Sequence, residues 1–212
     1  MYLMRPYTEV VTPLNAEVIM SHLERCGRVC YKSEDRITAD SADAFCRKLR
    51  LRKHLPALEH FLVTVKFIVD RGVSHELVRH RLASYCQEST RFCNYGKRGV
   101  SFIIPLWCTG IVPGVFKSVS YEDDGELIWG QAMLRAERDY LQLLEIGWRP
   151  EQARDVMPVS LKTEVVMSCN VREWMHVFAM RDAVAAHPQM REVMEPLHKT
   201  FKAVLPALFG DL

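Results

Sequence analysis

The run HFLVTVKFIVD, residues 60–70, sets the first constraint on the fold. Phe61, Val63, Val65, Phe67 and Val69 alternate with Leu62, Thr64, Lys66, Ile68 and Asp70. A period of two suits a pleated strand and cannot gather one apolar stripe on a helix. Such a strand needs partners. YTEVVTP near the start, VSFIIP at 100–105 and LKTEVVMSC at 161–169 have the β-rich composition to supply them.

Between these stretches the period changes to that of a helix. AEVIMSHLERC places Val18, Ile19, His22, Leu23 and Cys26 on one side. Ser41 is read as the N-cap of a second helix, with Ala42, Phe45, Cys46 and Leu49 on its apolar face. Gly72 is read as the end of the strand and Ser74 as the N-cap of a helix through VSHELVRHRL. Residues 105–124, with Pro105, Gly110, Pro113 and Gly114, read as a loop. A long helix runs from Glu126 to Ile146, with Met133, Ala136, Tyr140 and Leu144 on one face, and Gly147 ends it. Pro150 opens a short helix that contains Arg154, and Pro158 stops it. VREWMHVFAMR is helical, with Val171, Trp174, Met175 and Phe178 sharing a face. PQMREVMEPLHKTFKAVLPAL closes the chain as a helix interrupted or started near Pro196. No repeat, linker or domain boundary is visible, so one domain is expected.

Composition excludes several classes. The formal net charge is +2, so no strong field draws the chain to nucleic acid or to a membrane surface. The apolar runs fall short of the roughly 20 residues that span a bilayer. The N-terminal MYLMRPYTEVVTPLN has no long apolar run and is not read as a signal peptide. The seven cysteines are odd in number and scattered, with no C-x-x-C pair, which suits reduced thiols in a cytoplasmic protein. HELVRH resembles a zinc-protease H-E-x-x-H with one residue too many. On a helix His75 and His80 lie about 140° apart, so no metal site is expected.

Local charge is more telling. RHRLASYCQESTRF, residues 79–92, crowds Arg79, His80 and Arg81 together and adds Ser89, Thr90 and Arg91. Cations at a helix C-terminus are each worth about 0.3–1 kcal/mol through the dipole, which is the structural reading. The density of cations and hydroxyls points instead to an anion. There is no G-x-G-x-x-G and no G-K-[ST], so a phosphate would be held by side chains. Arginine suits this, because its planar fork meets two oxygens at once. Arg154, Arg172 and Arg181 lie downstream, and Asn170 and Arg172 flank a strand-to-helix junction. No G-x-S-x-G elbow is present and no cysteine has a recognised nucleophile setting. Residues and spacing alone therefore lead to binding of a phosphorylated small molecule.

The same stretch carries a resemblance. R-H-R-x-x-S-x-x-x-x-S-x-R, met by Arg79, His80, Arg81, Ser84, Ser89 and Arg91, resembles the signature of the flavin-dependent thymidylate synthases. RCGRVCYKSED, ALEHFLVTVKFIVDRGVSHELVRHRLASYCQESTRFCNY, SLKTEVVMSCNVREWMHVFAMR and AAHPQMREV extend it, in the family's order. The resemblance implies an α+β fold, a central β-sheet with packed helices, as one domain over residues 1–212. It implies reductive methylation of dUMP to dTMP. The carbon donor is 5,10-methylenetetrahydrofolate, NADPH-reduced FAD is the hydride source, and tetrahydrofolate is released. No cysteine nucleophile takes part. It also implies a homotetramer with shared active sites.

Residue roles follow from the resemblance alone. Arg79, His80, Arg81, Gln87, Asn170, Arg172 and His176 look like FAD contacts, and His54 like the histidine beside the flavin ring. Glu76, Arg79, Gln87, Glu88, Ser89, Thr90, Arg91 and Arg154 look like dUMP contacts. Arg181 looks like the residue that binds and polarises the uracil. An arginine keeps its proton, so it can stabilise a developing uracil anion. Three positions depart from the family pattern. Lys53-His54-Leu55-Pro56 stands where G-H-E-S or G-H-E-T is usual, Cys86 where Asn or Ser is frequent, and Val159 where Asn is common. The first implies altered FAD affinity rather than lost activity. Two rival classes are a non-catalytic nucleotide- or RNA-binding protein and a structural oligomer. Neither predicts a yellow protein, and no RNA-recognition aromatic motif is present.

Overall fold

A computed structural model describes residues 1–210, so the last two positions of the expected 1–212 domain lie outside the described residues. In chain order the elements are β1 (Tyr2–Met4), β2 (Tyr7–Val10), α1 (Ala16–Val29), α2 (Ser41–Leu51), β3 (Leu62–Asp70), α3 (Arg71–Leu77) and β4 (Ala83–Gln87). There follow α4 (Tyr95–Arg98), β5 (Ser101–Ile103), β6 (Gly114–Val115), α5 (Asp124–Glu145), α6 (Pro150–Ala153), β7 (Lys162–Asn170), α7 (Val171–Arg181), α8 (Pro188–Val204) and α9 (Pro206–Phe209). Short 3₁₀ turns occupy Glu34–Arg36, Leu55–His60 and Arg154–Val156. The class is α+β, with one sheet ordered β2-β3-β7-β4 and a smaller one ordered β5-β1-β6.

The run that sets the first constraint is β3, and its alternation is visible in burial. Val63, Val65 and Phe67 are fully buried, while Thr64 and Lys66 are half-buried. Burial becomes continuous at Ile68, Val69 and Asp70. The Val171 N–H donates to the Phe61 carbonyl at 3.0 Å, and the Thr64 and Ser168 hydroxyls meet at 2.7 Å. Partner numbers fall as strand numbers rise, as an antiparallel pair requires.

Several local expectations are corrected. Gly72 lies inside α3, and the strand stops at Asp70, whose Oδ1 accepts from the Val73 N–H at 2.8 Å. Asp70 is thus the N-cap, and Ser74 instead donates its hydroxyl back to the Arg71 carbonyl. Asp40 rather than Ser41 occupies the cap position of α2, and the Ser41 hydroxyl donates to Glu24 at 2.8 Å. α3 ends at Leu77 rather than running through Leu82, and Arg79, His80 and Arg81 lie just past its C-terminal end, where they were expected. Arg154 opens a 3₁₀ turn after α6. On α1 the buried stripe is Ile19, Met20, Leu23, Glu24 and Gly27, rotated from the expected one, and Val18 is exposed. α8 runs through Pro196, whose missing N–H does not stop it.

Contacts divide the chain into two compact units. The first comprises Met1–Tyr7, Phe67–Arg79 and Cys86–Val165. Its small sheet has β1 parallel to β5, with Leu3 opposite Phe102, and antiparallel to β6. Leu3, Phe102, Ile104, Met133, Tyr140 and Leu161 build its core against the inner face of α5. Gly147, at φ +96°, takes the left-handed conformation that closes α5.

The second unit comprises Thr8–Lys66, His80–Tyr85 and the chain from Val166 on. Trp174, Phe178, Phe201 and Phe209 pack with ring centroids 5.1–5.8 Å apart. Burying each such ring is worth about 1.5–3 kcal/mol, and the Trp174 indole N–H is satisfied by the Val63 carbonyl at 3.0 Å. α1 and α2 pack closely at Gly27, where a Cβ would lie 2.7 Å from the Phe45 ring.

Candidate functional site

The expected site residues are distributed over both units, and each group is built by its own local structure. In the first unit, β4 and the turn after it carry Gln87 to Arg91. The Gln87 amide donates to Ser74 Oγ at 3.1 Å and to Thr163 Oγ1 at 3.3 Å. The Glu88 N–H donates to the Glu164 carbonyl at 2.8 Å. The Glu88 carboxylate accepts from Lys162 Nζ at 3.1 Å, and Lys162 also donates to Glu164 at 2.5 Å. One ammonium thus bridges two carboxylates and holds the loop's first residue in place.

The Ser89 carbonyl accepts from the Phe92 and Cys93 N–H groups, which closes the turn. Thr90 is buried, and its Oγ1 accepts from Arg154 Nη1 at 3.1 Å. Arg91 is exposed and lies over the Phe92 ring at 5.3 Å. Arg154 and Thr90 line a cavity of about 370 Å³ together with Arg71, His75, Val159 and Leu161. Arg71 and His75 were not among the expected site residues. The signal that finds them is position: both lie on α3, which follows β3 directly. Glu76 and Arg79 do not line this cavity. Val159, one of the departures, is mostly exposed on its wall, and its carbonyl accepts from the Arg71 N–H at 2.9 Å.

In the second unit the chemistry centres on His80, which is 4% exposed. Arg181, at the end of α7, donates from Nε to His80 Nε2 at 3.0 Å. A guanidinium only donates, so Nε2 is the acceptor and the ring proton sits on Nδ1. Nδ1 faces Glu173 Oε1 at 3.7 Å. Burial, with Arg181 and His176 close by, lowers the His80 imidazole to about 4. Burial also raises the Glu173 carboxyl, partly offset by His176 and Arg172. The imidazole is therefore neutral at pH 7, and the 3.7 Å contact is not an ion pair then. The Tyr85 hydroxyl donates to the His80 carbonyl at 2.8 Å and fixes the backbone here.

His80, Glu173 and His176 also bring three potential metal ligands within 4.8 Å of one another. Arg181 lies on Nε2 and contributes a fixed positive charge, so proximity alone does not make a cation site.

Asn170 caps α7, its Oδ1 accepting from the Glu173 N–H at 2.8 Å. Arg172 on the first turn pairs with Glu59. Asn170, Arg172 and His176 share the wall of a cavity of about 830 Å³ with Arg50, Lys53, Leu55, Glu59, Leu82 and Met175. That size lies in the range of ligand pockets. Leu55, Leu82 and Met175 give it an apolar side, while Arg50, Lys53 and Arg172 give it cations. A diphosphate-bearing flavin needs both features, so these residues fit it. His80 and Arg81 do not line this wall. His54 lies elsewhere: exposed, its Nδ1 2.6 Å from the Tyr31 hydroxyl, on a separate cavity of about 250 Å³ ringed by Arg28, Lys32, Arg36, Lys48 and Arg52.

The cysteines do not supply a thiolate nucleophile in the buried positions. Burial pushes Cys46 up to about 12 and also raises Cys108 and Cys169.

Fold and cavities together define an α+β protein whose cavities are lined by arginine and lysine side chains and whose sequence has no glycine-rich phosphate loop. The chain belongs to the thymidylate synthase complementing protein family, whose model matches residues 18–207. It is 31% identical over 191 residues to a flavin-dependent thymidylate synthase of Geobacter sulfurreducens, covering 87% of this chain and 78% of that one. A second flavin-dependent thymidylate synthase, from Corynebacterium efficiens, is 28% identical over 97% of this chain and 84% of its own length. Among solved structures, a UMP/dUMP methylase, PolB, from Streptomyces cacaoi superimposes with a TM-score of 0.76 at 24% identity, covering 99% of this chain and 96% of that one. Among the described residues no helix is long and apolar enough to cross a membrane.

Proposed function

We propose that this protein is a flavin-dependent thymidylate synthase that converts dUMP to dTMP. Methylenetetrahydrofolate supplies the carbon, and NADPH supplies the reducing equivalents through FAD. The observation that carries this reading is the large cavity whose wall combines Leu55, Leu82 and Met175 with Arg50, Lys53 and Arg172. A bare phosphate site would need the cations but not the apolar side.

When bound, FAD supplies the hydride chemistry that no side chain can perform. Asn170, Arg172 and His176 hold it from α7, and Arg79, His80, Arg81 and Gln87 complete its contacts in the assembled enzyme. Leu55 and Pro56 replace a polar pair, so flavin affinity is altered and its apolar contact enlarged. His54, which lines a separate cavity, is assigned to the flavin ring face of a site completed by another subunit. Arg154, Thr90, Ser89 and Arg91 hold the dUMP phosphate, joined by Arg79, Glu76, Gln87 and Glu88 around the nucleotide. Arg181 polarises the uracil. Its Nε is anchored on neutral His80, so the guanidinium is pre-aimed and needs no reorganisation when charge develops. His80 accepts that bond only while unprotonated, which links its low proton affinity to the role. The active enzyme is a homotetramer in the cytoplasm whose subunits share active sites.

The test is spectroscopic. Purified protein supplied with FAD and freed of excess is expected to retain a visible flavin band. Anaerobic NADPH should bleach it, and dUMP with methylenetetrahydrofolate should restore it with stoichiometric dTMP. A protein that retains no flavin under these conditions would sink the reading.

A further inference from the structure

Lys53 occupies an unusual backbone position on the wall of the flavin cavity. It has φ +57°, in the left-handed region. It closes α2 in a Schellman arrangement: the Lys53 N–H donates to the Arg50 carbonyl at 3.0 Å, and the His54 N–H to the Leu49 carbonyl at 2.9 Å. Glycine is the favoured residue at this position because a Cβ is strained there. A lysine gains nothing locally from it. Its side chain is exposed, and it makes no ion pair with a carboxylate among the described residues. Yet it lines the 830 Å³ cavity beside Arg50, Leu55 and Arg172. Glu59 on the same wall is engaged by Arg172 at 2.5 Å. The wall's three cations, Arg50, Lys53 and Arg172, outnumber its two carboxylates, Glu59 and Glu173, and Lys53 contributes to that excess at a backbone cost. Strain kept at a ligand-facing position signals that the side chain is used there.

We propose that Lys53 is an affinity-setting residue for the dinucleotide cofactor, its ammonium held against the diphosphate of FAD. This rests on the flavin reading above. NADPH carries a diphosphate as well, so the experiment separates the two. The test uses full-length Lys53→Gly, Lys53→Asn and Lys53→Arg. FAD and riboflavin affinities are measured by fluorescence titration at low and high salt, together with the apoprotein Tm and the KM for NADPH. Lys53→Gly and Lys53→Asn are expected to weaken FAD about tenfold at low salt, with the gap closing in 0.5 M salt, where screening is short-ranged. Riboflavin, which lacks phosphate, should bind all forms alike, and Lys53→Arg should retain FAD affinity. Lys53→Gly should melt about 2–4 °C higher, so weaker binding cannot be ascribed to unfolding. Equal FAD affinity in wild type and Lys53→Gly would overturn the proposal, as would a rise confined to the KM for NADPH. If the wild type itself binds no FAD, it is the functional reading that fails.

Discussion

Two polar clusters, one in each unit, are satisfied in different ways. In the first, Lys162 bridges the Glu88 and Glu164 carboxylates, and Arg154 donates to the Thr90 hydroxyl. In the second, His80 and Glu173 are buried, and burial drives both toward their neutral forms. Ion pairs and hydrogen bonds of this kind make a firm frame for the turn after β4. Desolvated groups change protonation instead, and this keeps an imidazole available as an acceptor for an arginine. The Glu88–Thr90 turn is thus organised by ion pairs and hydrogen bonds, and the surroundings of His80 by burial.

The largest expected effect concerns whether the units are independent. The unit boundary falls within β3 and β7, so each strand belongs partly to each unit. One cooperative domain is the expected behaviour. Phe102 and Phe178 are each fully buried in a different core. Phe102→Ala and Phe178→Ala should each cost about 3–5 kcal/mol and shift one common transition in denaturant, followed by fluorescence and circular dichroism. Two separate transitions, each moved by only one substitution, would make the units separate domains.

Next is Arg181. Arg181→Ala removes both the positioned cation and the His80 anchor. It should lower kcat about 10²–10³-fold, the range for losing one transition-state donor, while the flavin band is retained. Near-normal dTMP formation would remove Arg181 from the mechanism.

The contrast in protonation gives a pH prediction. His80 has a native value of about 4 against an ordinary 6.5, so the unfolded chain binds more protons between these values. Stability contributed by neutral His80 is complete above pH 6.5 and is lost as pH falls toward 4. The displacement corresponds to about 3 kcal/mol. Chemical denaturation of wild type and His80→Gln over pH 4–7 checks it, and equal pH slopes would refute the assignment. A smaller effect is expected in the first unit. Arg154→Ala should raise KM for dUMP about 10–100-fold, as for a lost charge-assisted bond of about 1.5–3 kcal/mol, with FAD affinity unchanged.

Much of this was legible in the chain. The alternation at 61–70, the apolar face of 171–181 and the amphipathic run around Met133 and Tyr140 became β3, α7 and α5, because each records burial of one face. Asp70 and Ser74 are both good caps by residue type, and only the end of β3 decides for Asp70. Nothing in the spacing of Arg71 and His75 marks them; α3 joins them to Thr90 and Arg154 through the packing of segments distant in sequence. The division between Asn170, Arg172 and His176 on one cavity and His54 on another was equally invisible.

By itself the sequence determined the periodicities, the lack of a phosphate-binding glycine loop and the crowding of Arg79, His80 and Arg81, because these are properties of neighbouring residues. Only the tertiary structure decided that Arg181 meets His80 across 101 positions, that burial lowers that imidazole to about 4, and that Lys53 turns left-handed on a cavity wall. Proton affinity and ligand geometry depend on desolvation and on groups far apart in the chain, and these exist only once the chain has folded.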